Sequence, residues 1–102
     1  MLKPLIIGEC NPRSADPRFA LYPYPPGCAG SRLAAFLGLN AAEYLARFDR
    51  ENLCPMRWVA SAAREKAALL AVSDRPALIL LGRTVAATIG GQGCQSSGRA
   101  WL

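Results

Sequence analysis

Apolar and polar positions along the chain fall into short blocks whose period changes from block to block. Leu5-Ile6-Ile7 is an unbroken, largely β-branched run that stops at Gly8, and it predicts a buried strand. Ala77-Leu78-Ile79-Leu80-Leu81 is the clearest strand, an apolar run suited to the middle of a parallel sheet. Between these runs the period is helical. Leu33, Phe36 and Leu37 share one face of a helix that Ser31 can cap and Gly38 can end. Asn40 opens a second helix, with Glu43 completing a capping box; Ala41, Tyr44, Leu45 and Phe48 repeat at the spacing of a core-facing stripe. Ser61 to Val72 is alanine-rich and predicts a helix with Ala63, Ala67 and Leu70 turned inward, broken by Ser73-Asp74-Arg75-Pro76. A short helix from Arg83 to Ile89 closes at Gly90-Gly91. Asp49–Leu53 offers a short further strand, and Pro55–Trp58 a turn.

This alternation predicts an α/β fold: a three-layer α/β/α sandwich with a short, mostly parallel sheet over residues 1–90, followed by an irregular tail over 91–102. Leu5–Ile7 and Ala77–Leu81 should be neighbouring parallel strands. In such sheets ligands bind at the carboxyl ends of the strands. Three loops start there: Gly8–Gly30, Cys54–Trp58 and Gly82–Arg83. The first carries Pro12, Pro17, Pro23, Pro25 and Pro26, and its aromatics Phe19, Tyr22 and Tyr24 argue against plain disorder.

At 102 residues the chain has room for one domain and one core of thin margin. Hydrophobic residues make up 52%, which argues against disorder. No apolar run approaches the roughly 20 residues of a membrane span. The start, Met1-Leu2-Lys3-Pro4, lacks the long apolar region of a secretory signal, so a cytoplasmic protein is expected, with no membrane partner.

The net charge of +5 changes the picture further, because ten of the twelve basic residues are arginines. The arginine fork suits phosphate. The alternative is that these side chains only solvate helix faces, since they are spread along the whole chain. Cys10, Cys28, Cys54 and Cys94 include no Cys-x-x-Cys pair, and histidine is absent, which removes the usual zinc spacings and Ser-His or Cys-His nucleophile pairs. The cysteines are expected to be small buried apolar residues, with no disulfide framework, cofactor or metal cluster.

Candidate chemistry gathers on three segments: Gly8-Glu9-Cys10-Asn11-Pro12, Asn52-Leu53-Cys54-Pro55, and Leu81-Gly82-Arg83-Thr84-Val85-Ala86. With the Gly-rich turn Pro26-Gly27-Cys28-Ala29-Gly30-Ser31-Arg32-Leu33 and the run Phe48-Asp49-Arg50-Glu51-Asn52-Leu53, their order over roughly residues 4–90 resembles the uracil-DNA glycosylase superfamily. The likeness is greatest to its small bacterial and phage-type members, whose first motif reads Gly-Glu-Ala-Pro or Gly-Glu-Ala-Pro-Asn-Pro.

The resemblance implies a DNA-repair hydrolase that flips uracil or a related base out of single- or double-stranded DNA and cuts its N-glycosidic bond. Asn52 would hydrogen-bond the pyrimidine edge, since an amide both donates and accepts; it could equally bond its own backbone at a strand end. The Gly8–Pro12 loop would position the attacking water through Glu9 or Asn11, with Asp16 a third candidate, though Glu9 also fits a solvated loop carboxylate. Gly8 and Pro12 would shape the base site, and Tyr22, or its neighbours Phe19 and Tyr24, would stack on the base or pack the loop onto the sheet. Arg13, Arg18, Arg32 and Arg57 lie near the loop end of the sheet and would meet phosphates.

The chain also departs from the pattern. The family's His-Pro-Ser-like motif, which stabilises the leaving base and wedges the DNA, is missing. A domain incomplete at its C-terminal end is therefore expected, and loss of one such electrostatic group typically lowers the rate by about 10²–10³-fold. Iron–sulfur members carry a cysteine cluster upstream of the first motif, whereas nine residues precede Cys10 and the partners of Cys54 are missing. Two alternatives stand beside excision. One is a non-catalytic nucleic-acid-binding or remnant domain of the same fold. The other is a doubly wound nucleotide-binding domain, against which stands the absence of G-x-G-x-x-G and G-x-x-x-x-G-K-[ST] motifs.

Overall fold

The computed structural model describes residues 2–91 and the backbone of residues 99–101. Among the described residues four strands, β1 (Leu5–Gly8), β2 (Asp49–Asn52), β3 (Leu78–Leu80) and β4 (Arg99–Trp101), form one sheet in the order β2-β1-β3-β4. Four α-helices among the described residues join them: α1 (Ala29–Phe36), α2 (Ala41–Arg47), α3 (Ala60–Ala71) and α4 (Arg83–Gly90). All strand pairs are parallel. Leu5–Ile7 therefore does neighbour the Ala77–Leu81 segment as expected, with Leu5 opposite Leu78 and Ile7 opposite Leu80.

The central position of β1 explains its unbroken apolar run. Leu5 and Ile7 pack on one side with Leu78, Leu80, Ala63 and Ala67 of α3, and Val85 and Ile89 of α4. Ile6 points the other way, into Leu33 and Ala34 of α1 and Tyr44 of α2, joined by Leu21, Ile79 and Leu81. A parallel strand covered on both faces has no position for a polar residue. β2 is an outer strand of the order and reads Asp-Arg-Glu-Asn, all partly exposed.

The expected helices form, with corrections at α1. That helix starts at Ala29, and its cap is Cys28, whose thiol accepts the Ser31 N–H at 3.5 Å; Ser31 lies inside the helix. Phe36 is 75% exposed, because the buried stripe of α1 runs through Leu33 and Ala34. The helix ends as glycine predicts: Gly38 adopts φ +74° and donates to Ala35 O at 3.0 Å, while Leu39 donates to Ala34 O at 2.9 Å. The Asn40–Glu43 capping box is present in both directions, at 2.8 and 3.0 Å. The irregular tail expected over 91–102 is corrected at Arg99–Trp101, which pairs with β3 as a strand; residues 92–98, including Cys94, lie outside the described residues. Of the other cysteines Cys54 is buried, Cys10 and Cys28 are partly so, and all three are free thiols. Among the described residues no helix is long and apolar enough to cross a membrane.

Tyr44 is fully buried, and its hydroxyl donates to the Leu21 carbonyl at 2.9 Å. Burial pushes its phenol up to about 12 from the ordinary 10.0, with the Arg50 guanidinium opposing the rise. The folded state thus holds a proton that the unfolded chain releases earlier. Stability should fall as pH rises from 10.0 towards about 12, the sign expected for an acid with a raised folded pKa. Urea unfolding across that range should show the decline, and Tyr44→Phe should flatten it.

Candidate functional site

The site lies where β1 and β2 end. Beyond the sheet the two chains stay paired: Leu53 donates to Gly8 O, Cys54 to Glu9 O and Asn11 to Pro55 O, all at 2.9–3.1 Å. The loop then runs out to a 3-10 turn at Pro17–Phe19 and returns to α1. Two clefts open beneath it. The larger, about 370 Å³, is lined by Asn11, Pro12, Arg13, Tyr22, Tyr24 and Asn52, among others. The smaller, about 220 Å³, has Asn11, Asp16, Glu51, Asn52 and Lys66 in its walls. Asn11, Ser14 and Asn52 line both.

Asn52 stands opposite Gly8 in the register. A Cβ on Gly8 would lie 2.6 Å from Asn52 Oδ1, so the glycine makes the room that this amide occupies. Gly8 is buried and lines neither cleft; its part in the expected base site is to accommodate Asn52 rather than to touch a ligand. No side chain or backbone group among the described residues hydrogen-bonds the Asn52 amide. Pro12 is exposed at the rim of the larger cleft.

Tyr22 packs edge-on against Phe19 at 5.3 Å and 88°, and lies 5.7 Å from Tyr24. The three rings therefore both pack the loop together and present Tyr24, 57% exposed, at the cleft.

The expected water-positioning residues fare differently. Glu9 is exposed and lines neither cleft. Asn11 lines both, but its amide is committed to the loop: Nδ2 donates to Phe19 O at 3.3 Å and Oδ1 accepts from Arg13 N–H at 3.0 Å. Asp16 caps the 3-10 turn by accepting Arg18 N–H and forms an ion pair with the Arg18 side chain at 2.8 Å. Arg18 holds the Asp16 carboxyl below its usual range, so it stays ionised and occupied. In the smaller cleft Glu51 is likewise paired, to Lys66 at 2.6 Å. Cys10, in the wall of the larger cleft, has its thiol pushed up by burial and by Glu9 and Cys54.

All four expected phosphate-binding arginines are exposed. Arg13 lines the larger cleft, Arg32 lies on α1 and Arg57 on the 55–58 loop, and none of these three has an acidic partner among the described residues. Arg18 differs, being paired with Asp16 and lying 5.9 Å over Phe19. Among the described residues no cluster of three or more His, Cys, Asp or Glu side chains could hold a metal ion.

Sequence reasoning missed Arg50. Its Nη1 donates to Ala20 O at 2.9 Å and Arg18 O at 3.2 Å, and its guanidinium lies 5.6 Å over Tyr22. The available signal was the alternation of β2, which puts Arg50 and Asn52 on one face of the strand.

No protein-family model, no curated protein and no solved structure matches this chain.

Proposed function

We propose that the larger cleft receives an unstacked pyrimidine-type base of a DNA strand, in a three-layer α/β/α domain of uracil-DNA-glycosylase type that binds rather than cleaves. The observation that carries this is the Asn52 amide, which has no hydrogen-bond partner among the described residues and is seated over Gly8 in a cleft that also holds Tyr22 and Tyr24. An amide supplies the donor and acceptor that a pyrimidine edge needs, and an aromatic wall supplies a stacking surface. Apolar clusters on both sheet faces support the three layers. Binding is favoured over excision because Asn11 and Asp16 are already engaged within the loop and Glu9 lies outside both clefts.

The test is fluorescence anisotropy with short single-stranded oligonucleotides carrying one uracil, or an abasic site at the same position. The uracil strand should bind more tightly. Asn52→Asp should lower that preference by about tenfold, since it replaces a donor with a charged acceptor. Equal affinity for the two strands would overturn the proposal. Release of free uracil from the strand would overturn the non-catalytic part and restore excision.

The same assay tests the arginines. Each phosphate contact on a single strand adds about 0.7 to the slope of log affinity against log salt. Replacing Arg13, Arg32 and Arg57 by alanine should therefore reduce that slope by about 2. Arg18→Ala should change it less, because Asp16 already offsets that charge. An unchanged slope in the triple variant would make these side chains solvation only.

A further inference from the structure

Arg50 lines neither cleft, yet the base-receiving loop converges on it and on Tyr44. The two side chains take three carbonyls in a stretch of four residues: Arg50 Nη1 those of Arg18 and Ala20, and Tyr44 Oη that of Leu21. Leu21 sits at φ +51°, a left-handed conformation that a leucine keeps only where its surroundings over-determine it. The next residue, Tyr22, lies under the Arg50 guanidinium and enters the cleft wall. Leu21 itself packs over Gly8, beside Asn52; a Cβ on Gly8 would meet Leu21 Cδ1 at 3.2 Å.

Arg50 holds this position at a cost. Among the described residues its buried Nε has no hydrogen-bond partner, and no carboxylate pairs with it. The side chain as a whole is half-buried, and withdrawing part of a charged group from water costs free energy unless it is compensated. Here two carbonyls and an aromatic face provide the compensation.

Strand geometry ties this anchor to recognition. On β2, Arg50 and Asn52 point to the same face, opposite Ile6 and Gly8 of β1. We infer that Arg50 is a positioning residue: it fixes the aromatic wall of the cleft relative to Asn52, so that one strand delivers both the reading amide and the anchor of the surface that stacks. This rests on the proposed base-binding role of the cleft.

The test uses Arg50→Met and Arg50→Lys in the full chain. Hydrogen exchange of the amides at 18–22 should quicken in Arg50→Met while those of β1 and α3 stay as in the parent. Affinity for the uracil strand should fall by about tenfold or more, as expected when hydrogen bonds from a charged group are lost. Affinity for the abasic strand and the salt slope should not change. Arg50→Lys keeps a donor for the carbonyls without the planar stack, and should recover part of both effects.

If Arg50→Met leaves exchange at 18–22 unchanged, Arg50 does not anchor the loop. A salt slope reduced by about 0.7 would make Arg50 a phosphate contact instead. Should Arg50→Met fail to fold, Arg50→Lys decides by the same exchange measurement. If the parent protein itself shows no preference for the base, the base-binding role fails, while exchange at 18–22 still judges Arg50 as the loop anchor.

Discussion

Replacing Gly30 with alanine is expected to lower the melting temperature by about 8–24 °C, the product of an overpacking cost of about 2–3 kcal/mol and a response of about 4–8 °C per kcal/mol for a domain of this size. Gly30 sits in the first turn of α1, buried against the returning loop. A Cβ there would lie 2.3 Å from both Leu21 O and Tyr22 O. Both atoms are backbone, and the Leu21 carbonyl is already held by Tyr44, so neither can yield without moving the loop or the helix. Thermal melts followed by circular dichroism measure the shift. Two other glycines calibrate it. At Gly8 the nearest obstacle is the Asn52 side-chain oxygen, so Gly8→Ala should cost less stability and disturb base recognition more. At Gly90 nothing lies within 4 Å, and Gly90→Ala should melt at or above the parent temperature. A Gly30→Ala melt within a few degrees of the parent would show that α1 does not need this close approach.

Tyr44→Ala should be the most damaging single truncation outside the central strands, at about 3–5 kcal/mol. The ring is fully buried between α1, α2 and the sheet, 6.1 Å from Phe48. In a domain whose whole stability is about 5–15 kcal/mol, that loss leaves a substantial unfolded population. Tyr44→Phe separates the two parts of the effect. It keeps the packing, removes only the hydroxyl that meets Leu21 O, and should cost about 1–3 kcal/mol for the carbonyl left without its partner. Denaturant titration of the pair gives both values. Equal losses would mean that the hydroxyl, rather than the ring, carries the contribution.

Periodicity made most of the fold legible. An apolar run long enough to be a strand but bounded by glycine, as at Leu5–Gly8, has few other uses, and the reciprocal Asn40–Glu43 cap is a local device that needs no tertiary context. Where the expectation slipped, tertiary contact had outvoted local pattern. Ser31 is a better cap than cysteine in isolation, yet α1 starts at Ala29 with Gly30 seated on the loop carbonyls. Phe36 fits a helical stripe by spacing, but the sheet is met by Leu33 and Ala34. Arg99–Trp101 has no strand pattern and is ordered by pairing with β3.

The candidate site was legible in position more than in roles. Chain order alone sends the first loop and Asn52 to one sheet edge, and both line the larger cleft. That Asp16 would be taken up by Arg18, Asn11 by Phe19 and Arg13, and that Arg50 would reach the carbonyls of residues 18 and 20, depends on how a twenty-residue loop folds back, which no repeat or period encodes.

The polar character of β2 has a consequence for how these molecules meet one another. An outer strand offers unpaired backbone groups to any passing chain, and a flat apolar edge would invite sheet-to-sheet growth. This one carries Asp49, Arg50 and Glu51 in succession, with Asp49 paired to Arg75 and Glu51 to Lys66. A second molecule adding a strand here would have to strip water from alternating charges and compete with ion pairs already made to the segment before β3 and to α3. The composition that makes β2 hard to recognise as a strand thus also guards that edge against aggregation.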